Sequence, residues 1–405
     1  MRIGLNGYYL TTPSSGIGQY SYNLLHALAE IDHKNTYYIF CPQPIAWDLP
    51  ENFKLKVIYP MPFFKGSFLN RFYWEEYQLA QEIKEFKIDV FHGLYQSLPR
   101  GSEKIANVVT IHDAIPWRFI FERKQLSYRW YSDFRKKKVT QRAKKIITIS
   151  ETSKLDFASV YKIKPETIEV TYESVNPIFL AKPKPIAITD FKKKYQINKD
   201  FILYVGGLKR HKNLRMLIKS FTILVNEYNF PGDLYILGSI RKTMAISSYI
   251  YYREKDLHRY AELKKIADRV KFVGFVSQEE MALFFHLAKG FVSISLYEGF
   301  GLPALEAMTA GCPAVLSHLG AYPEIAQDAA LFVYPYGPHR IAEALNQVMT
   351  NTQTRETVIK HGIKRAQFFD RKKIAKRMLE IYQEVYDDYQ VNYQPWGLGR
   401  NRTDA

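Results

Sequence analysis

Two glutamates on either side of a glycine-rich turn form the clearest candidate for a ligand site in this sequence. Glu298 and Glu306 lie eight positions apart in the stretch SLYEGFGLPALE, with Gly299 and Gly301 between them. Since glycine allows close backbone approach and a helix start leaves amide N–H groups unpaired, the turn could donate to phosphate oxygens. Each carboxylate offers two oxygens to sugar or ribose hydroxyls. A structural role stays open, because an acidic residue near a helix start stabilises the helix dipole in any protein.

A cationic segment after another predicted strand could bind the phosphate end of such a ligand. Gly206 and Gly207 follow the apolar run FILYV, and Lys209, Arg210 and Lys212 come before the next helical pattern. Cations in this position could offset the negative charge that develops on a phosphate leaving group. Surface lysines are also common after strands, so both interpretations are kept.

A third turn, near the start of the chain, carries glycines directly before a helix. Gly16 and Gly18 lie in the stretch SSGIGQ. Their spacing matches neither the dinucleotide fingerprint GxGxxG nor the P-loop GxxxxGK[ST]. A phosphate site at the helix start and a purely structural turn are therefore both open.

His112 and Asp113 end a predicted strand in the first half of the chain. A histidine at a strand end that faces a cleft could donate to a sugar hydroxyl or accept from one. An isolated histidine more often has a structural role, and that interpretation competes here. The chain contains no HExxH, CxxC or Asp-x-Asp pattern, so we expect no metal site.

The candidate segments can lie close together only if they follow strands whose carboxyl ends share one edge of a sheet. The hydrophobic pattern predicts such strands in both halves of the chain. The predicted strands are Arg2–Asn6, Tyr37–Cys41, Leu55–Tyr59, Asp89–Leu94, Asn107–His112, Lys145–Ser150, Phe201–Val205, Asp233–Leu237, Val270–Val276, Phe291–Leu296, Ala314–Ser317 and Leu331–Tyr334. The predicted helices are Gln19–Ile31, Arg71–Phe86, Tyr128–Ala143, Leu214–Glu227, Glu279–Leu287, Pro303–Thr309, His339–Met349, Thr354–Phe369 and Lys372–Asp388. Buried strands that alternate with helices are typical of a doubly wound parallel α/β sheet.

The length and one proline-rich stretch predict two domains. A chain of 405 residues exceeds what one hydrophobic core usually serves, and residues 176–185 separate the two strand patterns. We place an N-terminal Rossmann-like domain at residues 1–180 and a C-terminal one at residues 195–370, with a last helix at about 371–389 packing back onto the first. Ligands of such sheets bind outside the carboxyl ends of the strands, so two facing sheets would share a cleft.

The formal net charge of +17 points to an anionic partner. Basic residues cluster at 135–138, and aromatic residues are frequent at 117–131 and at 59–74. This mixture suits peripheral contact with an anionic membrane face, although long cationic side chains also cover ordinary solvated surfaces. No nucleic-acid-binding motif is present, and we expect no nucleic acid partner.

The sequence favours an intracellular location. It contains no run of eighteen apolar residues, so we expect no transmembrane helix, and the opening MRIGLNGYYL has too short an apolar stretch for a signal peptide. Cys41 and Cys312 are the only cysteines, which fits a reducing compartment without disulfides. We expect a cytoplasmic protein, with the inner face of the membrane as the alternative location.

In combination, these segments resemble the family-4 retaining glycosyltransferases. The stretch Glu298–Glu306 resembles the E-x7-E motif of that family, whose members have the GT-B fold. The resemblance continues along most of the chain in the segments SGIGQY at 15–20, HD at 112–113, ITIS at 147–150, VGG at 205–207, KNL at 212–214, VGFV at 273–276, EEMA at 279–282, EAMTAGCP at 306–313 and PEIA at 323–326. It implies two facing Rossmann-like domains, with a C-terminal helix that crosses back to the first.

The resemblance implies transfer of a sugar from a nucleotide diphosphate donor to a hydroxyl, with retention at the anomeric carbon and without metal or cofactor. It gives catalytic roles to three residues. His112 would contact the donor sugar, Lys212 would neutralise the diphosphate, and Glu298 would hold the sugar. It gives donor binding to Gly16, Gly18, Gly207, Arg210, Phe275, Val276, Gly299, Phe300, Gly301, Leu302 and Glu306. Among these, Glu306 would bind the ribose, and the backbone at 275–276 would meet the nucleobase.

The sequence departs from the family at Gly207, where many relatives carry arginine. Lys209 or Arg210 could supply that charge, or Lys212 could act largely alone. With little external base in view, we expect the departing diphosphate to take the acceptor proton on the same face of the sugar. The competing mechanism uses Glu298 as a covalent nucleophile.

We therefore predict a hexosyltransferase of polysaccharide or glycolipid biosynthesis. UDP-glucose is the favoured donor and GDP-mannose its rival, because the family uses both. The acceptor, a saccharide or a lipid-linked saccharide, should lie on the first domain. The alternatives are a nucleotide-sugar epimerase or a phosphorylase of the same fold, and a non-catalytic binder of nucleotides or nucleic acid.

Overall fold

The chain folds around two parallel β-sheets, one in each half of the sequence. The structure, a computed structural model, describes residues 1–45, 50–61, 68–119, 133–134, 137–238 and 251–392. Much of the basic and aromatic sequence considered above as a membrane-contacting surface, at 62–67, 120–132 and 135–136, lies outside these residues. The two sheets and their helices confirm the expected α/β class with two Rossmann-like units.

The first sheet occupies the N-terminal half. Its strands are β1 (Arg2–Asn6), β2 (Thr36–Cys41), β3 (Phe53–Val57), β4 (Val90–Gly93), β5 (Ala106–Ile111), β6 (Lys145–Thr148) and β7 (Ile168–Val170). They are all parallel and lie in the order β3-β2-β1-β4-β5-β6-β7. Every residue of β5 is buried, because both faces of a parallel sheet are covered, and this explains its continuous apolar sequence.

The second sheet repeats this arrangement in the C-terminal half. Its strands are β8 (Phe201–Val205), β9 (Asp233–Leu237), β10 (Val270–Gly274), β11 (Gly290–Ser293), β12 (Ala314–Ser317) and β13 (Ala330–Val333). They are also parallel, in the order β10-β9-β8-β11-β12-β13. The direction of winding therefore reverses once in each sheet, between β1 and β4 and between β8 and β11.

Helices connect the strands on both faces of the sheets. Their bounds are α1 (Gly16–Ile31), α2 (Phe68–Tyr73), α3 (Leu79–Glu85), α4 (Ile115–Arg118), α5 (Glu151–Tyr161), α6 (Pro185–Tyr195), α7 (Leu214–Glu227), α8 (Glu254–Leu263), α9 (Gln278–Leu287), α10 (Leu302–Thr309), α11 (Tyr322–Ala326), α12 (Pro338–Thr350), α13 (Thr352–Ala366) and α14 (Arg371–Asn392). A π-helical turn at Trp74–Gln78 joins α2 to α3.

The sequence pattern missed β7, α4, α5, α6, α8 and α11, and for β7, α5 and α8 the physical reason is clear. β7 has three residues, too few for a period to show. Helix α5 places polar residues such as Ser153 and Asp156 on its buried side, which hides its amphipathic pattern. Helix α8 is rich in charge and buries only Leu257 and Ala261.

Several strand ends also differ from the prediction, and two of them show why. β3 begins at Phe53 and ends at Val57 because it pairs residue by residue with Tyr37–Cys41 of β2, so the predicted end at Tyr59 lies outside the sheet. β11 ends at Ser293 rather than Leu296, since the amide of Leu296 leaves the sheet and donates to the His211 carbonyl at 2.7 Å.

The last helix, α14, packs against α1 and the first sheet through a chain of buried polar groups. The Tyr382 hydroxyl lies 2.7 Å from His92 Nδ1, and His92 Nε2 lies 2.8 Å from Thr110 Oγ1. Thr110 Oγ1 in turn lies 3.1 Å from the Tyr20 hydroxyl. Burial, with a smaller effect from the charge of His112, lowers the pKa of His92 to about 3, so its ring is neutral.

We expect Tyr382→Phe to destabilise the protein by about 1–2 kcal/mol, because it leaves a buried ring nitrogen of His92 without its partner. Thermal unfolding of the variant and the wild type measures the loss. Tyr336→Phe is the matched control, since Tyr336 is 53% exposed. Equal melting temperatures for both variants would show that the buried chain contributes nothing.

Candidate active site

The carboxyl ends of the two sheets carry the segments that the sequence singled out. In doubly wound sheets the loops part where the winding reverses and leave a crevice at the carboxyl edge. The second sheet reverses between β8 and β11. Because Lys212 follows β8 and Glu298 follows β11, this one crevice receives both residues.

Glu298 is a buried carboxylate that three donors hold. Its Oε1 atom accepts hydrogen bonds from Lys212 Nζ at 2.5 Å, from Ser295 Oγ at 2.7 Å and from the Tyr322 hydroxyl at 3.3 Å. Ser295 belongs to the same loop, Lys212 comes from the loop after β8, and Tyr322 begins α11. Three separate segments therefore converge on one oxygen atom.

The charge of Lys212 keeps Glu298 ionised in a buried place. Burial alone would raise the pKa of Glu298, but the positive charges of Lys212 and His211 and the hydrogen bonds bring it below its usual value. The contact is therefore an ion pair, with both side chains largely shielded from solvent. Removing one partner of such a pair would leave an uncompensated buried charge, which is strongly destabilising.

Two glycines fix the path of the turn after Glu298. Gly301 has a φ of +95°, and a Cβ atom there would lie 2.5 Å from the Tyr322 ring. A Cβ atom on Gly299 would lie 2.7 Å from the carbonyl oxygen of His112 in the first half. A side chain at either position would push the turn away from a neighbour that it now contacts.

The main chain of this turn offers N–H groups to a ligand. No described residue accepts a hydrogen bond from the amides of Gly299, Phe300, Gly301 and Leu302. Helix α10 begins at Leu302, so these amides lie at the positive end of a helix. The turn can therefore donate to phosphate or hydroxyl oxygens of a ligand.

Glu306 lies in α10 and is only 3% exposed. The structure shows no hydrogen bond or ion pair from its carboxyl to another described residue. Burial, with the negative charge of Glu173, raises the pKa of Glu306 to about 8. A buried carboxyl without a partner costs free energy, and hydroxyl groups of a ligand would satisfy it.

The cations after β8 point in different directions. Lys212 contacts Glu298, whereas the Arg210 guanidinium lies 5.3 Å above the Tyr252 ring and Lys209 Nζ lies 6.0 Å above the Tyr251 ring. Gly207 has no neighbouring atom within 4 Å of its Cβ position. Neither Lys209 nor Arg210 pairs with Glu298.

The loops after β8, β9 and β10 lie side by side at this edge. The amide of Gly238 donates to the Gly274 carbonyl at 2.7 Å, and a Cβ atom on Gly238 would lie 2.1 Å from the Gly206 carbonyl oxygen. Phe275, directly after Gly274, is 66% exposed, while Val276 is buried. The exposed ring makes this loop available to a flat group such as a nucleobase.

His112 faces the same turn from the first half of the chain. Its Nε2 atom lies 2.8 Å from the Leu94 carbonyl, which can only accept, so Nε2 carries a proton. Its Nδ1 atom lies 3.6 Å from Glu173 Oε1, and the Tyr20 ring packs edge-on at 4.7 Å. Both ring nitrogens therefore face protein groups in this structure, and the carbonyl group of His112 lies against Gly299.

The two glycines at the start of α1 differ in what surrounds them. The amide of Gly18 donates to Ser15 Oγ at 3.1 Å, and a Cβ atom on Gly18 would lie 2.4 Å from the Thr12 carbonyl oxygen. Glycine at this position is thus required by the packing of the protein itself. Gly16 has no atom within 4 Å of its Cβ position, and its backbone is the more open of the two.

Hydrogen bonds across the cleft hold the turn after Glu298 against the first half. Ser150 Oγ donates to the Gly299 carbonyl at 2.6 Å, and Ser153 Oγ lies 3.0 Å from the same oxygen. The Glu324 carboxylate accepts from the first two amides of α5 at 2.7 and 2.9 Å. A carboxylate of the second half therefore caps a helix of the first, which favours the helix dipole.

Aromatic contacts extend this interface. The Tyr297 hydroxyl donates to Asp156 Oδ2 at 2.5 Å. The Phe119 ring stacks on His211 with a centroid distance of 5.8 Å. The loops that carry Lys212 and Glu298 are thus both in contact with the first half.

Two family profiles match the chain one after the other. The profile described as Glycosyltransferase Family 4 matches residues 14–178, and the profile described as Glycosyl transferases group 1 matches residues 187–365. The chain belongs to glycosyltransferase family 4. The first match includes the turn at Gly16 and the strand before His112, and the second includes Lys212 and the whole stretch Glu298–Glu306.

Individual relatives support this assignment. O-antigen chain mannosyltransferase B of Escherichia coli is 25% identical over 307 residues, which cover 75% of this chain and 76% of the relative. Sucrose-phosphate synthase from Thermosynechococcus elongatus has a TM-score of 0.76 at 18% identity, over 96% of this chain and 100% of that one. Anabaena HepE in complex with UDP-glucose has a TM-score of 0.72 at 17% identity, over 95% of this chain and 100% of that one. The two solved structures confirm the GT-B fold of this glycosyltransferase.

The structure also brings residues to the site that the sequence reasoning did not name. Ser295 had a local signal, because a hydroxyl three positions before Glu298 in the same loop can reach its carboxylate. Tyr322 and Glu173 had none, since each comes from a segment far away in the sequence. Lys212 was named for its own motif, and only the structure shows its contact with Glu298.

The rest of the described chain offers neither a metal site nor a membrane-spanning helix. Among the described residues, no three His, Cys, Asp or Glu side chains form a group that could hold a metal ion. No helix in the described part of the chain is long and apolar enough to cross a membrane. Cys41 and Cys312 are both buried and free.

We expect Glu306→Gln to remove a pH dependence from the stability of the protein. The pKa of Glu306 is about 8 in the folded state and lies above the value of the unfolded chain, so the native state binds the extra proton. Protonation of Glu306 therefore makes its full contribution to the free energy of unfolding below about pH 4. Between that pH and about 8 the contribution falls by roughly 1 kcal/mol for each pH unit.

Thermal unfolding of the wild type and the variant between pH 5 and pH 9 measures this effect. The melting temperature of the wild type should fall relative to Glu306→Gln as the pH rises. Glu279→Gln, at an exposed position of α9, should keep a constant difference from the wild type. A constant difference for Glu306→Gln as well would contradict the raised pKa.

Proposed function

We propose that this glycosyltransferase moves a hexose from a nucleotide diphosphate sugar to a hydroxyl acceptor, with retention at the anomeric carbon. The observation that carries the proposal is the buried contact of Glu298 with Lys212, beside the amides of residues 299–302. Together a carboxylate, an ammonium group and a row of N–H donors suit a sugar joined to a diphosphate. Residues 1–180 are the acceptor domain of this proposal and residues 195–370 the donor domain.

In this proposal the two glutamates bind opposite parts of the donor. Glu306 accepts hydrogen bonds from the ribose hydroxyls, which its buried and unpartnered carboxyl supports. Glu298 orients the sugar, and Lys212 offsets the charge of the diphosphate. The remaining proposed donor contacts are those of His112, Gly16, Gly18, Gly207, Arg210, Phe275, Val276, Gly299, Phe300, Gly301 and Leu302. Among these, the open backbone at Gly16 supports an approach of the diphosphate from the first half.

The proposed mechanism uses the donor itself as the base. As the bond to the diphosphate breaks, the departing oxygen takes the acceptor proton on the same face of the sugar, and Lys212 stabilises the negative charge. Glu298 Oε1 already accepts three hydrogen bonds, which supports an orienting carboxylate over an attacking one. A glycosyl adduct on Glu298, found by mass spectrometry with a slow donor, would instead establish covalent catalysis. The reaction as proposed requires no metal ion, so EDTA should leave it unchanged.

We propose GDP-mannose as the leading donor and keep UDP-glucose as its competitor. This order reverses the preference drawn from the sequence alone. It rests on the Escherichia coli relative, whose name describes a mannosyltransferase of the O-antigen chain. The HepE complex with UDP-glucose gives weaker support to UDP-glucose as the donor, because a likeness at 17% identity is evidence for the fold only. The name of the same Escherichia coli relative supports polysaccharide assembly and a saccharide or lipid-linked saccharide as acceptor.

In this proposal the first domain binds a lipid-linked acceptor on the cytoplasmic side of an anionic membrane. Large hydrophobic side chains are exposed on both sides of residues 62–67: Tyr59 is 67%, Leu69 53% and Tyr77 44% exposed. Such residues suit a membrane interface when cations lie nearby. Loss of vesicle binding in the triple alanine variant at these positions would support this part of the proposal.

A nucleotide panel tests the proposed function. UDP, GDP and ADP are added to the protein, and one of them should raise its melting temperature, since a ligand at a hundredfold excess over its Kd stabilises by about 2.7 kcal/mol. Glu306→Ala should lose this response. Transfer from GDP-mannose and UDP-glucose to a lipid-linked saccharide then identifies the sugar, and NMR of the product gives the anomeric configuration. Failure of every nucleotide to stabilise the protein would contradict the proposal, and donor conversion without acceptor would indicate an epimerase.

We expect Lys212→Ala to lower kcat by roughly 100- to 1000-fold with a smaller change in KM, because the cation acts on charge that develops as the bond breaks. Lys209→Ala is the matched control, since Lys209 lies in the same loop without a contact to Glu298. Thermal unfolding of Lys212→Ala shows how much of the loss comes instead from instability caused by the unpaired buried carboxylate of Glu298. A raised KM at unchanged kcat would show uniform binding instead.

A further inference from the structure

Glu173 is a buried carboxyl group in the cleft to which none of the roles above is assigned. It follows β7 on the segment that leads from the first half to the second, and it is 5% exposed. Its Oε1 atom lies 3.6 Å from Nδ1 of His112. The other nitrogen of that ring is bound to the Leu94 carbonyl at 2.8 Å, so both ring nitrogens face protein groups.

The segment around Glu173 is fixed from both halves of the chain. Asn23 of α1 donates its side-chain amide to the Ser174 carbonyl at 2.7 Å. On the other side, the Tyr172 ring packs edge-on against Phe369 at a centroid distance of 5.5 Å. The chain on either side of Glu173 is therefore anchored, which keeps this residue beside His112.

The charge of Glu173 is felt throughout the cleft. Burial raises the pKa of Glu173, the pairing with His112 lowers it, and the negative charges of Asp113 and Glu298 raise it again. Glu173 in turn contributes to the raised pKa of Glu306. The carboxyl thus interacts electrostatically with both halves, through the loop after β5, the loop after β11 and α10.

We propose that Glu173 is the positioning residue of His112, holding Nδ1 while Leu94 holds Nε2. Because Nε2 already carries a proton, one further proton between Nδ1 and the carboxyl gives a pair without net charge. Such a pair fixes the ring and keeps one carboxylate of the cleft from repelling a diphosphate. This inference rests on the proposed function, from which the contact of His112 with the donor sugar is taken. Because both ring nitrogens face protein groups, that contact is made by other atoms of the residue.

A double-mutant cycle tests whether Glu173 acts through His112. Glu173→Ala should lower kcat roughly 10- to 100-fold, the loss expected for a hydrogen bond to a charged group, with little change in donor KM. In the His112→Ala background the same change should cost nothing further. Glu166→Gln, at an exposed position just before β7, is the control that should keep full activity. Additive losses, or an unchanged kcat in Glu173→Ala, would overturn the inference.

Histidine NMR provides a readout that does not depend on turnover. In protein labelled with ¹⁵N at histidine, the signals lost in His112→Ala identify the ring, and its Nδ1 shift is followed between pH 5 and pH 9. Glu173→Gln keeps the size of the side chain and should move the Nδ1 shift, while Glu166→Gln should not. An unchanged His112 spectrum in Glu173→Gln would overturn the inference. If the wild type turns over no donor, the proposed function fails, and these spectra still decide whether Glu173 controls the ring.

Discussion

A carboxylate buried below the cleft must be matched by positive charge and hydrogen bonds, and the arrangement of the second sheet's loops follows from this requirement. An unpaired ion in a protein interior costs several kcal/mol. Glu298 avoids that cost through Lys212, Ser295 and Tyr322, which come from three different segments. The ion pair therefore locks these segments together. The turn that follows Glu298 carries four amides from which no described residue accepts a hydrogen bond.

Much of this arrangement was predictable because its causes are local. The strands of both sheets are apolar runs since both faces are covered, and a positive φ at Gly301 demands glycine whatever the rest of the fold does. The pairing of Lys212 with Glu298 was not predictable in this way, because 86 positions separate them. It follows from the strand order, in which β8 and β11 are neighbours although β9 and β10 lie between them in sequence.

The residues that escaped prediction owe their roles to distant partners. Glu173 lies in a short segment without periodicity or motif. Its carboxyl became a candidate only because the fold places it beside His112. Gly18 shows the opposite case, since its glycine was assigned to ligand binding although the contact with the Thr12 carbonyl already requires it.

The hydroxyls of Ser150 and Ser153 that meet the Gly299 carbonyl have a consequence for how such enzymes are recombined. If the second half were transplanted onto the first half of a relative, its turn would lose this support unless the new partner presented hydroxyls at the same two places. The start of α5 would likewise lose the carboxylate of Glu324 that accepts from its first amides. A chimera joined at the boundary between the two sheets would therefore have to keep the start of α5 together with the second half.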